Sequence, residues 1–446
     1  MSNLSKNHAD WLKRASKVRK RHNTIDEADH DEYREAAGEL WRLLYEAPDA
    51  VKIAYRNLLE ADLAKSETEF DGLQTGELIW QLDNDPEICV RQIGRQLRAL
   101  DIWLAKNLRH EALPDDLGEL LCGRGDVYLI PMARRLLNAA LKQGKTESGK
   151  SKDVDRPPGP GNGYLRRAFL HHRVLPAITS QGTKVRLHAH AHLLPAGHPS
   201  REAMLGAALF PGIAIEWEGL PYNAKIKQVD IKREGRVLEK QLRSAFEADY
   251  LACIWPELCV PPSRLAVISD SLKRGSAAQL DGSGPSIVAA GSWHEDLDGR
   301  IRNVMRVLDH SGRLTLTFVK LTRFVGGGYG EANTPGDMIE VLVSRDMLIS
   351  FAICSDFCDS SDIPNPFVEL DVDLVLVPSL GTQAAADGHQ QNAARRSNAT
   401  GGQTLVVQQR EPSSEGDNVG WVVSDPRDHV PPAEDRAWSE RKISLK

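Results

Sequence analysis

Phe351-Ala352-Ile353-Cys354-Ser355-Asp356-Phe357 is the stretch from which the rest of the chain can be read. A β-prone run over residues 348–353 ends in a cysteine followed by Ser and Asp. A Pro-rich turn, Ile363-Pro364-Asn365-Pro366, comes next, and then a second apolar run over residues 372–378. Two short apolar runs around a reactive side chain predict neighbouring strands with a functional loop between them. Two further strands end in a single polar group. Tyr250-Leu251-Ala252-Cys253-Ile254-Trp255 runs into Pro256-Glu257, and the alternating Leu314-Thr315-Leu316-Thr317-Phe318-Val319 runs into Lys320. Taken singly, each group has an ordinary reading. A Glu after Pro is commonly solvated, an edge-strand Lys is commonly a surface charge, and a strand-end Cys is commonly a packed small hydrophobe.

In the order Glu257, Lys320, Cys354, the three resemble the Glu-Lys-Cys triad of the nitrilase, or carbon–nitrogen hydrolase, superfamily, over roughly residues 210–423. Further motifs follow in family order. Gly291-Ser292-Trp293-His294, Arg302-Asn303 and Asp309-His310-Ser311-Gly312 resemble the hairpin before the lysine. Gly330-Glu331 and Thr334-Pro335-Gly336-Asp337 resemble the second glutamate and its turn, and Asp373-Leu374-Val375-Leu376-Val377-Pro378-Ser379 the strand after the cysteine. The resemblance implies an α/β fold, a four-layer α-β-β-α sandwich. It also implies cysteine-dependent hydrolysis of a non-peptide carbon–nitrogen bond, in an amide rather than a nitrile. In that chemistry Glu257 is the general base, Lys320 and the Ser355 N–H stabilise the oxyanion, and Cys354 carries a thioester. Glu331 positions the lysine. No cofactor and no metal are implied, and a homo-oligomer is expected, with the charged tail after residue 431 exchanging contacts through Trp438.

The chain departs from the family in three places. Residues 389–402 contain Arg395, Arg396 and Asn398 but lack the family's Glu-Asn pair, and residues 381–402 read as an Ala-, Gly- and Gln-rich loop. The spacing from Lys320 to Glu331, with Gly326-Gly327-Gly328 inside it, is stretched. Residues 210–217 read as the first strand, residues 236–248 as an amphipathic helix, and the insertion over 219–235 as a surface hairpin.

The whole chain divides into a helical domain over 1–142, a Gly- and Pro-rich linker over 143–163, a connecting segment over 164–209, the nitrilase-like domain over 210–430 and a tail over 431–446. Tyr33, Ala37, Leu40 and Leu44, and then Ile93, Leu97, Leu100 and Leu104, recur at helical spacing. Lys13, Arg14, Lys17, Arg19, Lys20 and Arg21 form a basic run that reads as a solvated helix face, offset by the acidic residues 26–31.

At 446 residues, with 41% hydrophobic and 26% charged residues and a net charge of -6, the composition is that of a soluble globular protein and offers no global reason to bind nucleic acid. No apolar run approaches the ~20 residues of a membrane span, and the polar N-terminus has no signal-peptide apolar region, so a cytoplasmic location is expected. The cysteines are too sparse for a disulfide scaffold and lack zinc-site spacings. His188, His190 and His192 would share one strand face, which makes a metal hydrolase a competing reading. The main alternative keeps the nitrilase-like fold as a binding or assembly module whose helical domain docks a protein partner, as in a bacterial defence system, although no Tyr-x-Asp-Asp polymerase signature is present. The substrate is not legible, because the pocket walls come from the loops that depart from the family.

Overall fold

The computed structural model describes residues 6–22, 30–58, 63, 83–107, 114, 116–132, 168–190, 202–219, 221–278, 284–326, 329–344, 347–358, 365–412, 414, 416–425, 428 and 430–444. The contacts divide the chain into two compact units, Met1–Ile178 and Thr179–Lys446. The Gly- and Pro-rich segment 143–163 lies outside the described residues.

In the N-terminal unit, helices α1 (Lys6–His22), α2 (His30–Tyr45), α3 (Asp49–Arg56) and α4 (Pro86–Asn107) pack around one apolar core, with the predicted stripes of α2 and α4 inside it. Tyr33, Ala37, Leu40, Leu44, Ile93, Leu97, Leu100 and Leu104 are all buried. The helical reading of residues 1–142 omitted two strands. β1 (Leu121–Cys122) and β2 (Val127–Pro131) pair antiparallel, and β2 also pairs with β3 (His172–Pro176). The Val127–Pro131 run is too short for a helix and long enough for one strand. The basic run on α1 is offset by acids on and just after α2: Arg14 pairs with Glu46, and Arg21 Nε donates to Glu39 at 2.9 Å. Of the acidic segment 26–31, residues 26–29 lie outside the described residues.

The C-terminal unit is built on two sheets. The first has the order β11-β10-β9-β8-β5-β20. Its members are β5 (Glu202–Ala208), β8 (Tyr250–Trp255), β9 (Ile287–Leu297), β10 (Arg300–Asp309), β11 (Leu314–Val319) and β20 (Trp438–Ser444). The second has the order β19-β18-β17-β16-β15-β14-β4. It comprises β4 (Lys184–Ala189), β14 (Met338–Val343), β15 (Leu348–Phe351), β16 (Leu374–Gly381), β17 (Gln403–Arg410), β18 (Gly420–Val423) and β19 (Ala433–Glu434). Both sheets are mixed: β5, β8 and β9 are parallel, as are β15, β16 and β17, and antiparallel strands flank each set. The sheets face one another, with β16 against β8 and β9, and β17 against β5. Helix α6 (Pro262–Ala278) packs on β9, and helix α8 (Gln383–Thr400) packs on β16, β17 and β18 and against the one-turn helix α7 (Pro366–Glu369). Layers of helix, sheet, sheet and helix result. Among the described residues, no helix is long and apolar enough to cross a membrane.

Three local readings are corrected. The strand beside β8 is β5, not residues 210–217. β5 ends in small residues that weak β-propensity hides, yet Leu205, Ala207 and Ala208 are fully buried. Residues 213–218 instead form β6 (Ile213–Glu218), half of a hairpin with β7 (Lys225–Ile231), ahead of helix α5 (Glu234–Ala245). The segment read as a loop over 381–402 is helix α8. Its inward face carries His389, Asn392 and Arg396, all fully buried, so no apolar stripe marks it. Asn392 Nδ2 donates to the Phe357 carbonyl at 2.7 Å, and Arg396 Nη1 to the Phe367 carbonyl at 3.2 Å.

The tail returns to its own chain. β20 pairs antiparallel with β5, and Trp438 lies 6.2 Å from Trp255 and 5.7 Å from Tyr250, ring centre to ring centre. A Cβ on Gly206 would sit 2.5 Å from the Trp438 ring, so only glycine lets the indole this close to the strand. Trp438 is thus an internal anchor. Trp438→Ala is expected to lower unfolding free energy by about 3 kcal/mol, measured in urea, from lost burial and the cavity left behind. An unchanged unfolding midpoint would show that the tail strand adds nothing to the fold.

Candidate active site

Glu257 and Lys320 follow the carboxyl ends of β8 and β11, which are separated in the sheet by the β9–β10 hairpin. Lys320 Nζ donates to Glu257 Oε1 at 2.8 Å and to Glu331 Oε2 at 2.7 Å. All three side chains are buried. Burial alone disfavours the ammonium, but the two carboxylates outweigh it and hold Lys320 charged well above its ordinary range. Burial likewise opposes the Glu331 charge, yet Lys320 and a hydrogen bond from His294 keep that carboxyl well below the usual range.

The supporting residues come from the hairpin between the two strands. His294 on β9 and Asn303 on β10 are direct cross-strand partners. Asn303 Nδ2 reaches both Glu257 Oε1 and Glu331 Oε1 at 2.9 Å. The Ile226 N–H donates to His294 Nδ1 at 3.1 Å, so Nε2 carries the proton and donates to Glu331 Oε1 at 3.1 Å. The insertion that contains Ile226 is therefore a buttress rather than a surface hairpin. The stretched Lys320–Glu331 spacing is taken up by a small hairpin of β12 (Val325–Gly326) and β13 (Tyr329–Gly330). Arg323 Nε holds its exit by donating to the Glu331 carbonyl at 2.7 Å. Sequence reading assigned no role to His294 or Asn303; only their places in the hairpin motif pointed to them.

Cys354 opens a short 3-10 turn, Cys354–Asp356, three residues past the end of β15. Its φ is +45°, in the left-handed region that residues other than glycine seldom adopt. Leu258, just after Glu257, is also left-handed at φ +55°. Gly291 makes room for that second turn: its φ is +62°, and a Cβ there would lie 2.5 Å from the Pro256 carbonyl oxygen. The Leu380 peptide bridges thiol and carboxylate. Its N–H donates to Glu257 Oε2 at 3.0 Å, and its carbonyl lies 3.8 Å from Cys354 Sγ. Burial raises the Cys354 thiol well above its ordinary value and the Glu257 carboxylate raises it further, while Lys320 and a Ser379 hydrogen bond pull it down. The resting sulfur is therefore a neutral thiol.

Asp356 ties the cysteine turn to the lysine strand. Its carboxyl accepts the N–H groups of Leu321 at 3.0 Å, Thr322 at 2.8 Å and Ile353 at 3.1 Å, and the Thr322 hydroxyl at 2.8 Å. Burial pushes this carboxyl up to about 7, against the pull of Lys320 and the donated N–H groups. The Ser355 hydroxyl lies 2.7 Å from that of Thr322.

The histidine strand behaves differently from the metal reading. His188 Nε2 is 2.7 Å from Glu340 Oε2 on the parallel neighbour β14, and Arg186 Nε donates to the same carboxylate at 2.9 Å. Glu340 is an acid that sequence distance concealed. His192 lies outside the described residues, and among those described no group of three metal-donor side chains is placed to hold an ion.

The Glu331 charge makes a signed prediction. Its folded value lies below the ordinary 4.5, so its contribution is present above that pH and is lost as pH falls toward the folded value. Glu331→Gln should cost about 3 kcal/mol at neutral pH, because it leaves Lys320 short of a partner. The gap from the natural protein in urea unfolding should narrow below about pH 4. A gap that does not change with pH would remove the ion pair from this account.

No protein-family model and no curated protein matches the sequence. Among solved structures, the chain is similar to an amidase of the nitrilase superfamily from Nesterenkonia AN1, at 13% identity and TM-score 0.37, over 56% of this chain and 93% of that one. It is similar to Saccharomyces cerevisiae Nit3, of the same superfamily, at 14% identity and TM-score 0.39, over 55% and 90%. It is also similar to a CN-hydrolase superfamily protein from Xanthomonas campestris, at 14% identity and TM-score 0.36, over 55% and 91%. The chain is an α/β protein with mixed sheets preceded by N-terminal helices, and its similarity to these solved structures spans about 55% of its length at low sequence identity.

Proposed function

We propose that the protein hydrolyses a non-peptide carbon–nitrogen bond of a small molecule, an amide in preference to a nitrile, with Cys354 as nucleophile. The observation that carries this reading is the Lys320 ammonium clamped between Glu257 and Glu331, with the Cys354 thiol in electrostatic reach of both Lys320 and Glu257. A thiolate beside an ionised Glu257 is doubly disfavoured, by burial and by repulsion. Passing the thiol proton to Glu257 removes the repulsion and leaves the thiolate facing the ammonium. Base and nucleophile are thereby coupled, and the sulfur becomes reactive only as its proton leaves.

In this scheme the sulfur attacks the amide carbon and forms a C–S bond. Lys320 and the Ser355 N–H receive the developing oxyanion, and Glu257 returns the proton to the departing amine as the C–N bond breaks. Water then loses a proton to Glu257 and attacks the thioester. The acid leaves and the thiol is restored. Glu331, itself held by His294 and Asn303, keeps the ammonium aimed.

Cys354→Ala is expected to cut turnover of small amides by about 10³-fold or more with the fold intact, assayed by ammonia release alongside thermal unfolding. A substrate acyl group trapped on the natural chain should appear by mass on the peptide containing Cys354. Electrophile labelling should reach Cys354, which is 7% exposed and has a base beside it, before Cys89, which is 0% exposed. Equal labelling of the two would favour a non-catalytic binding module instead.

A further inference from the structure

Next to the Cys354 sulfur stands a row of buried polar side chains that the hydrolytic scheme leaves unused. Ser379, on β16, is fully buried and precedes Leu380, whose carbonyl is 3.8 Å from Cys354 Sγ, and its hydroxyl is among the influences that pull the Cys354 thiol down. Its Oγ is 3.0 Å from Nε2 of His389 on α8, also fully buried, and 3.4 Å from Gln408 Oε1. The Gln408 amide is oriented by its Nε2, which donates to the Thr382 carbonyl at 2.7 Å, so an acceptor oxygen faces Ser379. Cys358 Sγ lies 3.4 Å from Nδ1 and 3.6 Å from Nε2 of the His389 imidazole. Burial, with the Lys320 charge, pushes His389 down to about 3, so the ring is neutral and carries one proton.

The proton inventory limits what this row can do. Besides His389 Nε2, which accepts only in the Nδ1–H tautomer, Ser379 has two acceptors for its one O–H, the Gln408 oxygen and the sulfur. If it gives that hydrogen to either, its Oγ is left to accept, and the His389 Nε2–H is the donor within reach. Nδ1 is then an acceptor, which suits the Cys358 S–H. We propose that Ser379 and His389 are positioning residues for the nucleophile. His389 holds the Ser379 oxygen, and Ser379 turns its O–H from Gln408 to the Cys354 sulfur as the thiolate forms. This rests on Cys354 being the nucleophile. The thiol proton goes to Glu257, and no proton leaves Ser379 or His389. The ionisable groups facing the sulfur are Glu257, Lys320 and Cys358, and Lys320 also faces His389.

The test follows alkylation of the full chain by iodoacetamide, a small amide electrophile, across pH. The Cys354 adduct is quantified by peptide mass, so no substrate is needed. Ser379→Ala should move the half-maximal pH for Cys354 upward by on the order of one unit, since a hydrogen bond to the charged form is lost. His389→Ala should shift it the same way. His389→Gln, which keeps an N–H donor, should restore part of the shift. A Ser379→Ala profile that overlays the natural one overturns the proposal, even if the variant unfolds more easily, because a purely structural role moves stability and not the profile. If His389→Ala does not fold, Ser379→Ala alone decides. Natural-chain Cys354 that alkylates no faster than Cys89 overturns the nucleophile reading itself, and this proposal with it.

Discussion

The C-terminal unit depends on one ammonium group buried between two carboxylates. Removing Lys320 from water carries a desolvation cost that only close, well-oriented partners offset. Glu257 and Glu331 supply those partners at 2.8 and 2.7 Å, and each is itself held by donors from elsewhere. Asn303 reaches both, His294 holds Glu331, and the Leu380 N–H holds Glu257. Such a network favours its geometry because any half-satisfied arrangement would strand a charge. That explains why segments far apart in sequence, the 213–231 hairpin among them, end against this site.

Strain is placed beside the same network. Cys354 and Leu258 both hold left-handed backbone, each next to or at a strand end that delivers a polar group. A strand that continued straight would carry these groups past the ammonium. The turns redirect them, and Gly291 gives the space one of them needs. Asp356 then bonds backbone on both sides of the gap, so the cysteine turn and the lysine strand cannot separate independently.

Much of this was legible before any coordinates. Lys320 and Glu257 stand where apolar runs predicted strand ends, and the helical stripes of α2 and α4 are buried as their spacing required. Three features escaped. β5 is made largely of alanine, glycine and methionine, whose β-propensity is weak, so its place beside β8 comes from burial. Helix α8 turns a polar face inward, so the usual apolar period is missing. Glu340 lies 152 residues from His188 and meets it only because β4 and β14 are parallel neighbours.

Sequence alone determined the local facts: which runs form strands, which residues end them, and that an acid, an amine and a thiol follow in that order. Those depend on side-chain period and turn chemistry, which act over a few residues. The tertiary structure decided protonation and partnership. A thiol is neutral, a lysine charged and a histidine neutral here because of what is buried beside each, and electrostatic energy in a dry interior depends on distance through space. Residues such as His389 and Ser379 carry no mark in the chain, since helix α8 and strand β16 bring them to the sulfur only when the sheet and its covering helix have packed.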